Sequence, residues 1–258
     1  MEAQAKTRIE PSIGDPKAIQ QTVESSPRYK ARIAGVFEFL EGTVFTFGQV
    51  VILGKIVVSS DAAATAHNIL ANETLYRLGF AATVVGVICH IVWVFLFFDL
   101  FKPVSRNISI LAAFVMLVGC AVQAVTSLLY FAPLLILGEG SSLSAFTAEQ
   151  SQALTLFFLK LNGEAFDLYL IFFGFWCILT GYLIFRSAFL PRILGVLLAI
   201  DGLGWMIFLS PPLAIALFPF IAIASGVSEL PLMVWLLVRG VNAQRWSEQA
   251  SEAGVRAY

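Results

Sequence analysis

The sequence predicts an all-α integral membrane bundle of six transmembrane helices, with short amphipathic helices in the outer loops. Three observations carry that expectation. Six long apolar runs hold almost no charge, and each is long enough to cross a hydrocarbon core of about 30 Å, which takes roughly 20 apolar residues. The mean hydropathy is +0.85, with 59% hydrophobic and 13% charged residues, and a soluble chain of this length could not hide so much apolar surface. The basic residues, finally, fall almost entirely on alternate connections between the runs.

Residues 1–27 are polar, contain Pro11, Pro16 and Pro27 and lack apolar periodicity, so they read as a disordered tail and not as a cleavable signal peptide. The transmembrane domain is expected over 28–241. Its spans run from about Ile33 to Val58, Leu75 to Phe101, Ile108 to Leu137, Ala165 to Phe185, Leu190 to Leu209 and Ala214 to Val238. Residues 242–258 follow as a second polar tail. Lys6, Arg8, Lys17, Arg28, Lys30, Arg32, Lys102, Arg106, Arg186, Arg192, Arg239, Arg245 and Arg256 lie on one side of this arrangement. Only Lys55, Arg77 and Lys160 of the 16 basic residues lie on the other. The excess of Lys and Arg predicts cytoplasmic termini, which an even number of spans requires.

Two outer connections carry helix signals. Asp61 is placed to cap a short helix over 62–70, and Asn72 offers a cap for the second span. Thr147-Ala-Glu-Gln150 spells a capping box ahead of Leu154, Phe157, Phe158 and Leu161 at helical spacing. A continuous helix from Ala148 to Phe185 would measure about 57 Å, far beyond a bilayer core, so a bend is expected near Asn162-Gly163 with the upstream piece lying on the surface as an amphipathic lid. Ser210-Pro211-Pro212 predicts a tight hairpin between spans five and six. Gly174 and Gly181 on span four, with Gly195, Ala199 and Gly202 on span five, predict close helix packing.

The stretches Ala31 to Gly35, Asp61 to Gly79 (DAAATAHNILANETLYRLG), Leu100 to Arg106 (LFKPVSR) and Gly181 to Leu198 (GYLIFRSAFLPRILGVLL) closely resemble a bacterial multi-pass membrane family catalogued as domain of unknown function 4386. The resemblance runs from about Arg28 to Val241, and FLPRILG is its most specific part. It implies the six-span fold and a bacterial inner membrane, and it implies no activity.

Function must then be sought in polar groups inside the spans, because an ionisable side chain at mid-bilayer costs at least about 2.5 kcal/mol and needs a partner or a purpose. Counted from the basic border, Glu41 lies at about 10 Å, Glu229 at about 14 Å, His90 at about 16 Å and Asp201 at about 17 Å. These four, from spans one, six, two and five, form the candidate intramembrane site, with Gln123 of span three higher at about 24 Å. Asn162, Glu164 and Asp167 form a candidate outer-half site around the expected bend. Each has a structural alternative. Carboxylates favour helix starts, which suits Glu164 and Asp167. Buried polar groups also bond helices to one another, which suits Asp201 and Glu229. Ala82, Gly86 and His90 recur every four residues on a face suited to packing. Glu38 reads as shallow enough to reach Arg32 or solvent.

Several chemistries lack support. Haem binding between helices usually takes paired histidines, and the only other one, His67, is in an outer loop. No H-E-x-x-H, G-x-S-x-G or Walker loop occurs. Cys89, Cys120 and Cys177 lie in the spans without C-x-x-C spacing and read as packing residues. No catalytic residue, metal or cofactor is assigned, and no basic stripe suggests nucleic acid. The expected partners are the lipid bilayer and a small molecule or proton. Three readings remain: a proton-linked transporter or binder of a small or lipophilic molecule, a non-catalytic membrane scaffold or sensor, and an intramembrane enzyme acting on lipid.

Overall fold

A computed structural model describes residues 26–138 and 145–254. The tail expected over residues 1–27 lies outside the described residues as far as residue 25. The described chain is helical, without a strand among the described residues, and has six helices long and apolar enough to cross a membrane.

Span one is a composite of α1 (Pro27–Thr46), a π-helical stretch (Phe47–Ile52) and α2 (Leu53–Ile56). Proline at the first helical turn suits its start, where the missing N–H would have no helical partner. A short α3 (Ala62–Ala71) follows, capped by Asp61, whose Oδ1 accepts the Ala64 N–H at 2.8 Å. Spans two and three are α4 (Glu73–Phe101) and α5 (Arg106–Leu137). Asn72 precedes α4 without capping it. Its amide donates instead to the Asn68 carbonyl at the end of α3.

Span four is α6 (Ala148–Arg186), opened by the expected capping box: Thr147 Oγ1 accepts the Gln150 N–H at 3.3 Å and Gln150 Oε1 accepts the Thr147 N–H at 2.9 Å. The bend expected at Asn162-Gly163 is absent, since α6 is one helix of 39 residues. Two physical reasons account for this. A break would strand backbone groups at the membrane border, whereas an unbroken helix keeps them paired. Asn162 is also fully buried and tied in place: Gln49 Nε2 donates to its Oδ1 at 2.6 Å, and its own Nδ2 donates to the Thr126 carbonyl at 2.8 Å. The first turns of α6 therefore project past the bilayer core instead of lying flat as a lid, and α3 packs beside them.

Spans five and six are α7 (Arg192–Met206), extended by a 3-10 turn (Ile207–Leu209), and α8 (Pro211–Val238). The hairpin at Ser210-Pro211-Pro212 forms as expected. The glycines of α6 and α7 meet face to face. A Cβ added at Gly181 would lie 2.6 Å from the Gly195 carbonyl oxygen, and one at Gly174 would lie 2.7 Å from that of Gly202.

Beyond Val241, in the stretch expected as a tail, α9 (Ala243–Glu252) is capped by Asn242, whose side chain accepts the Arg245 N–H. Trp246 of α9 is buried and donates its indole N–H to the Leu100 carbonyl at 2.9 Å, which ties α9 to the basic end of span two. Gly240 sits between α8 and α9 at φ +63°, and a side chain there would also strike the Arg28 carbonyl, so both the turn and the close approach select glycine. At the same end Asp99 takes Lys30 and Lys102 as ion-pair partners at 2.6 and 2.5 Å.

The distribution of side chains is that of a protein whose solvent is hydrocarbon. Phe95, Phe114, Leu128, Ile215, Phe220 and Ile223 are all more than half exposed, whereas His90, Gln123, Asn162 and Asp201 are at most 1% exposed. In water this arrangement would sacrifice the hydrophobic contribution of every outward ring and branch. In a bilayer it exposes apolar groups to lipid and keeps polar groups among protein partners.

Candidate functional site

The expected inner site resolves into two pairs facing a single cavity. In the first pair, Glu41 Oε1 lies 3.3 Å from His90 Nδ1, and Gln123 Nε2 donates to the same oxygen at 3.4 Å. Gln123, expected to stand above this group, joins it. His90 reaches Glu41 because Gly86, one turn away on the same face, lets α4 come against Phe45; an added Cβ there would meet the Phe45 Cβ at 3.1 Å.

The second pair is Asp201 of α7 and Glu229 of α8, close enough to interact directly. Glu229 Oε1 accepts from Ser225 Oγ at 2.8 Å and from the Trp205 indole N–H at 3.4 Å. Asp201 is fully buried, stands near Cys177 and Trp205, and has neither carboxyl oxygen in a hydrogen bond of standard geometry. Pro231, inside α8, cannot supply the helical N–H that would bond the Val227 carbonyl, so the ladder is interrupted beside Glu229.

Glu41 and Glu229 both line a cavity of about 580 Å³, and His90 and Asp201 stand behind them. Glu38 lines it too, correcting the expectation that it reaches Arg32 or solvent. Arg32 is engaged elsewhere, donating to the Val238 carbonyl at 2.8 Å, and Glu38 Oε2 has no hydrogen-bond partner among the described residues. The far wall is aromatic. Phe166, Tyr169, Phe173 and Trp176 rise along α6 with consecutive ring centroids 5.6 to 6.1 Å apart, and Trp93 closes on Trp176 at 4.7 Å. Trp93 is 3% exposed and its indole nitrogen is unpartnered.

The cavity opens sideways. Spans one and six touch at the basic end, where Gly35 lies against Leu236 and Leu237. Further along, the lining includes Phe39, Phe47 and Val51 of span one and Leu230 of span six, large apolar side chains that are all exposed. The mouth is thus framed by lipid-facing side chains between spans one and six.

The expected outer-half residues do not form a second site of this kind. Asn162 is the structural link already described. Glu164 is exposed and Asp167 half-buried, and neither lines the cavity. The rings of α6 that face the cavity recur at positions 166, 169, 173 and 176, so Glu164 points to another side of the helix. That aromatic recurrence was the sequence signal for the wall, and the reading of charged residues alone missed it. The π-helical stretch had no sequence signal of comparable strength. It leaves Gly48 so close to α4 that an added Cβ would sit 2.5 Å from the Gly79 carbonyl oxygen.

Chemically, two adjacent carboxyls without a basic partner are held most cheaply by a shared proton or a bound cation. A His–Glu pair can pass a proton from one member to the other. Among the described residues no group of three or more His, Cys, Asp and Glu is arranged to hold a metal ion.

No curated protein and no solved structure matches this chain significantly. A family model described as a domain of unknown function (DUF4386) matches residues 33–240, which takes in most of span one and all of the other five. The chain belongs to the DUF4386 family of unknown function.

Proposed function

We propose that this membrane protein binds small lipophilic molecules that enter from the bilayer, and carries them in exchange with protons held by Glu41, His90, Asp201 and Glu229. The observation that carries this reading is the cavity of about 580 Å³, with apolar and aromatic walls, acidic groups at its inner face and a mouth between lipid-facing side chains. A pocket of this size suits a small organic molecule. Buried acids are expensive to keep unless they act. A scaffold alone would favour filling such a space with packed side chains. The basic residues support cytoplasmic termini, and the family resemblance is what suggests a bacterial inner membrane.

The test uses Gly42, which lines the cavity and has no atom within 4 Å of an added Cβ, so Gly42→Phe should occlude the cavity without disturbing packing. In lipid nanodiscs, the neutral quencher 1-iodonaphthalene should reduce tryptophan fluorescence with a saturable component from Trp93, Trp176 and Trp205. That component should vanish in Gly42→Phe. A response linear in quencher for both proteins would overturn the binding reading.

A further inference from the structure

We infer that the cargo of this cavity is a lipophilic organic cation, a molecule with an aromatic or alkyl body and a single positive centre; the inference rests on the carrier reading above and specifies its substrate class. Charge is the first argument. Glu38 and Glu41 from span one and Glu229 from span six reach the lining. Asp201 stands directly behind Glu229, fully buried, with neither oxygen in a hydrogen bond of standard geometry among the described residues. Among the described residues no Lys or Arg lines the cavity, and the nearby base His90 is already beside Glu41. An anionic head would meet only like charge, and a neutral body would leave these acids without compensation in a low-dielectric space. A cation satisfies them.

The walls are the second argument, independent of the acids. Tyr169, Phe173, Trp176 and Trp93 line the same space and pack ring against ring. Aromatic faces attract organic cations through the ring quadrupole, most strongly where water is excluded. They also take up an apolar body by burial. Glu38 Oε2, which has no donor among the described residues, is available to an ammonium N–H. The lateral mouth is the third argument. A lipophilic cation partitions into the bilayer near its surface and reaches an opening between spans one and six without crossing water.

Entry of the cation is balanced by loss of a proton. A carboxyl O–H bond of the Asp201–Glu229 pair breaks, the proton leaves for water, and the carboxylate pairs with the incoming cation. No covalent bond to the cargo forms. The other ionisable groups around this pair are Glu38 and Glu41 on α1, His90 on α4, and Cys177 and Tyr169 on α6. None of them contributes a permanent positive charge.

The experiment compares tetraphenylphosphonium with tetraphenylborate, ions of similar size and opposite charge. Binding is measured by calorimetry on detergent-solubilised protein, in two buffers of different ionisation enthalpy, so that proton release is counted along with affinity. The expected result is saturable phosphonium binding at least about tenfold tighter than that of the borate, with proton release. Glu229→Gln should weaken phosphonium binding at least about tenfold and reduce proton release. Equal binding of the two ions, or undiminished phosphonium binding by Glu229→Gln, would overturn the inference and leave the lipophile-binding reading standing. Loss of saturable 1-iodonaphthalene quenching by the native protein would instead overturn the underlying reading. Should Glu229→Gln fail to fold, the comparison of the two ions on the native chain decides the question alone.

Discussion

Replacing Gly181 with alanine should destabilise the bundle through one interface. The added methyl would lie 2.6 Å from the Gly195 carbonyl oxygen, 2.9 Å from the Ala199 backbone nitrogen and 3.0 Å from its Cβ. All three belong to a facing helix whose backbone cannot swing aside as a flexible side chain would. Spans four and five must then part by most of an ångström, and small-residue interfaces in membranes depend on close contact because no hydrophobic drive holds helices together in lipid. Overpacking of this kind costs about 1–3 kcal/mol. Gly163→Ala is the matched control. It lies in the same helix with no atom within 4 Å of an added Cβ, so alanine there should be neutral or stabilising by about 0.5–1 kcal/mol through helix propensity. The assay is the apparent melting temperature of purified protein in one detergent, with both variants measured at one heating rate because such unfolding is often irreversible. A second lesion, Gly202→Leu, meets Gly174 about 10 Å away along the interface, and its effect should add to that of Gly181→Ala. An unchanged melting temperature for Gly181→Ala, or an equal fall for Gly163→Ala, would refute the reasoning.

Asn162→Ala removes both links of α6 to spans one and three and leaves the Gln49 amide and Thr126 carbonyl short of a partner, so stability should fall by about 1–3 kcal/mol; an unchanged melting temperature would show that the links contribute nothing. Asp201→Asn keeps shape while removing a buried acid that has no basic partner among the described residues, so the variant should melt at the same temperature or higher, and a fall of several degrees would assign Asp201 a structural role instead. Alkaline phosphatase fused after Gly140 should be active and fused after Val241 inactive, as expected if the basic end is cytoplasmic; the reverse pattern would invert the topology.

The number of spans and most of their ends were legible in the sequence, because crossing a bilayer imposes a length and an apolarity that each segment must meet by itself. The caps at Asp61 and Thr147, the proline hairpin after Ser210 and the glycine faces of spans four and five were legible for the same reason, since each depends on a few adjacent or evenly spaced residues. Local sequence was a poorer guide where tertiary partners competed with it. Asn162-Gly163 reads as a break by composition and length, yet Gln49 and Thr126, distant in sequence, hold Asn162 inside a continuous helix. The site shows the same division. Glu41, His90, Asp201 and Glu229 could be singled out from the cost of burying ionisable groups, whereas their partners could not. The pairing of Glu41 with both His90 and Gln123, the entry of Glu38 into the lining and the opening between spans one and six depend on the rotation and separation of whole helices. Those are set by side-chain packing between segments far apart in the chain, while hydrophobicity, capping and turn chemistry act within each segment.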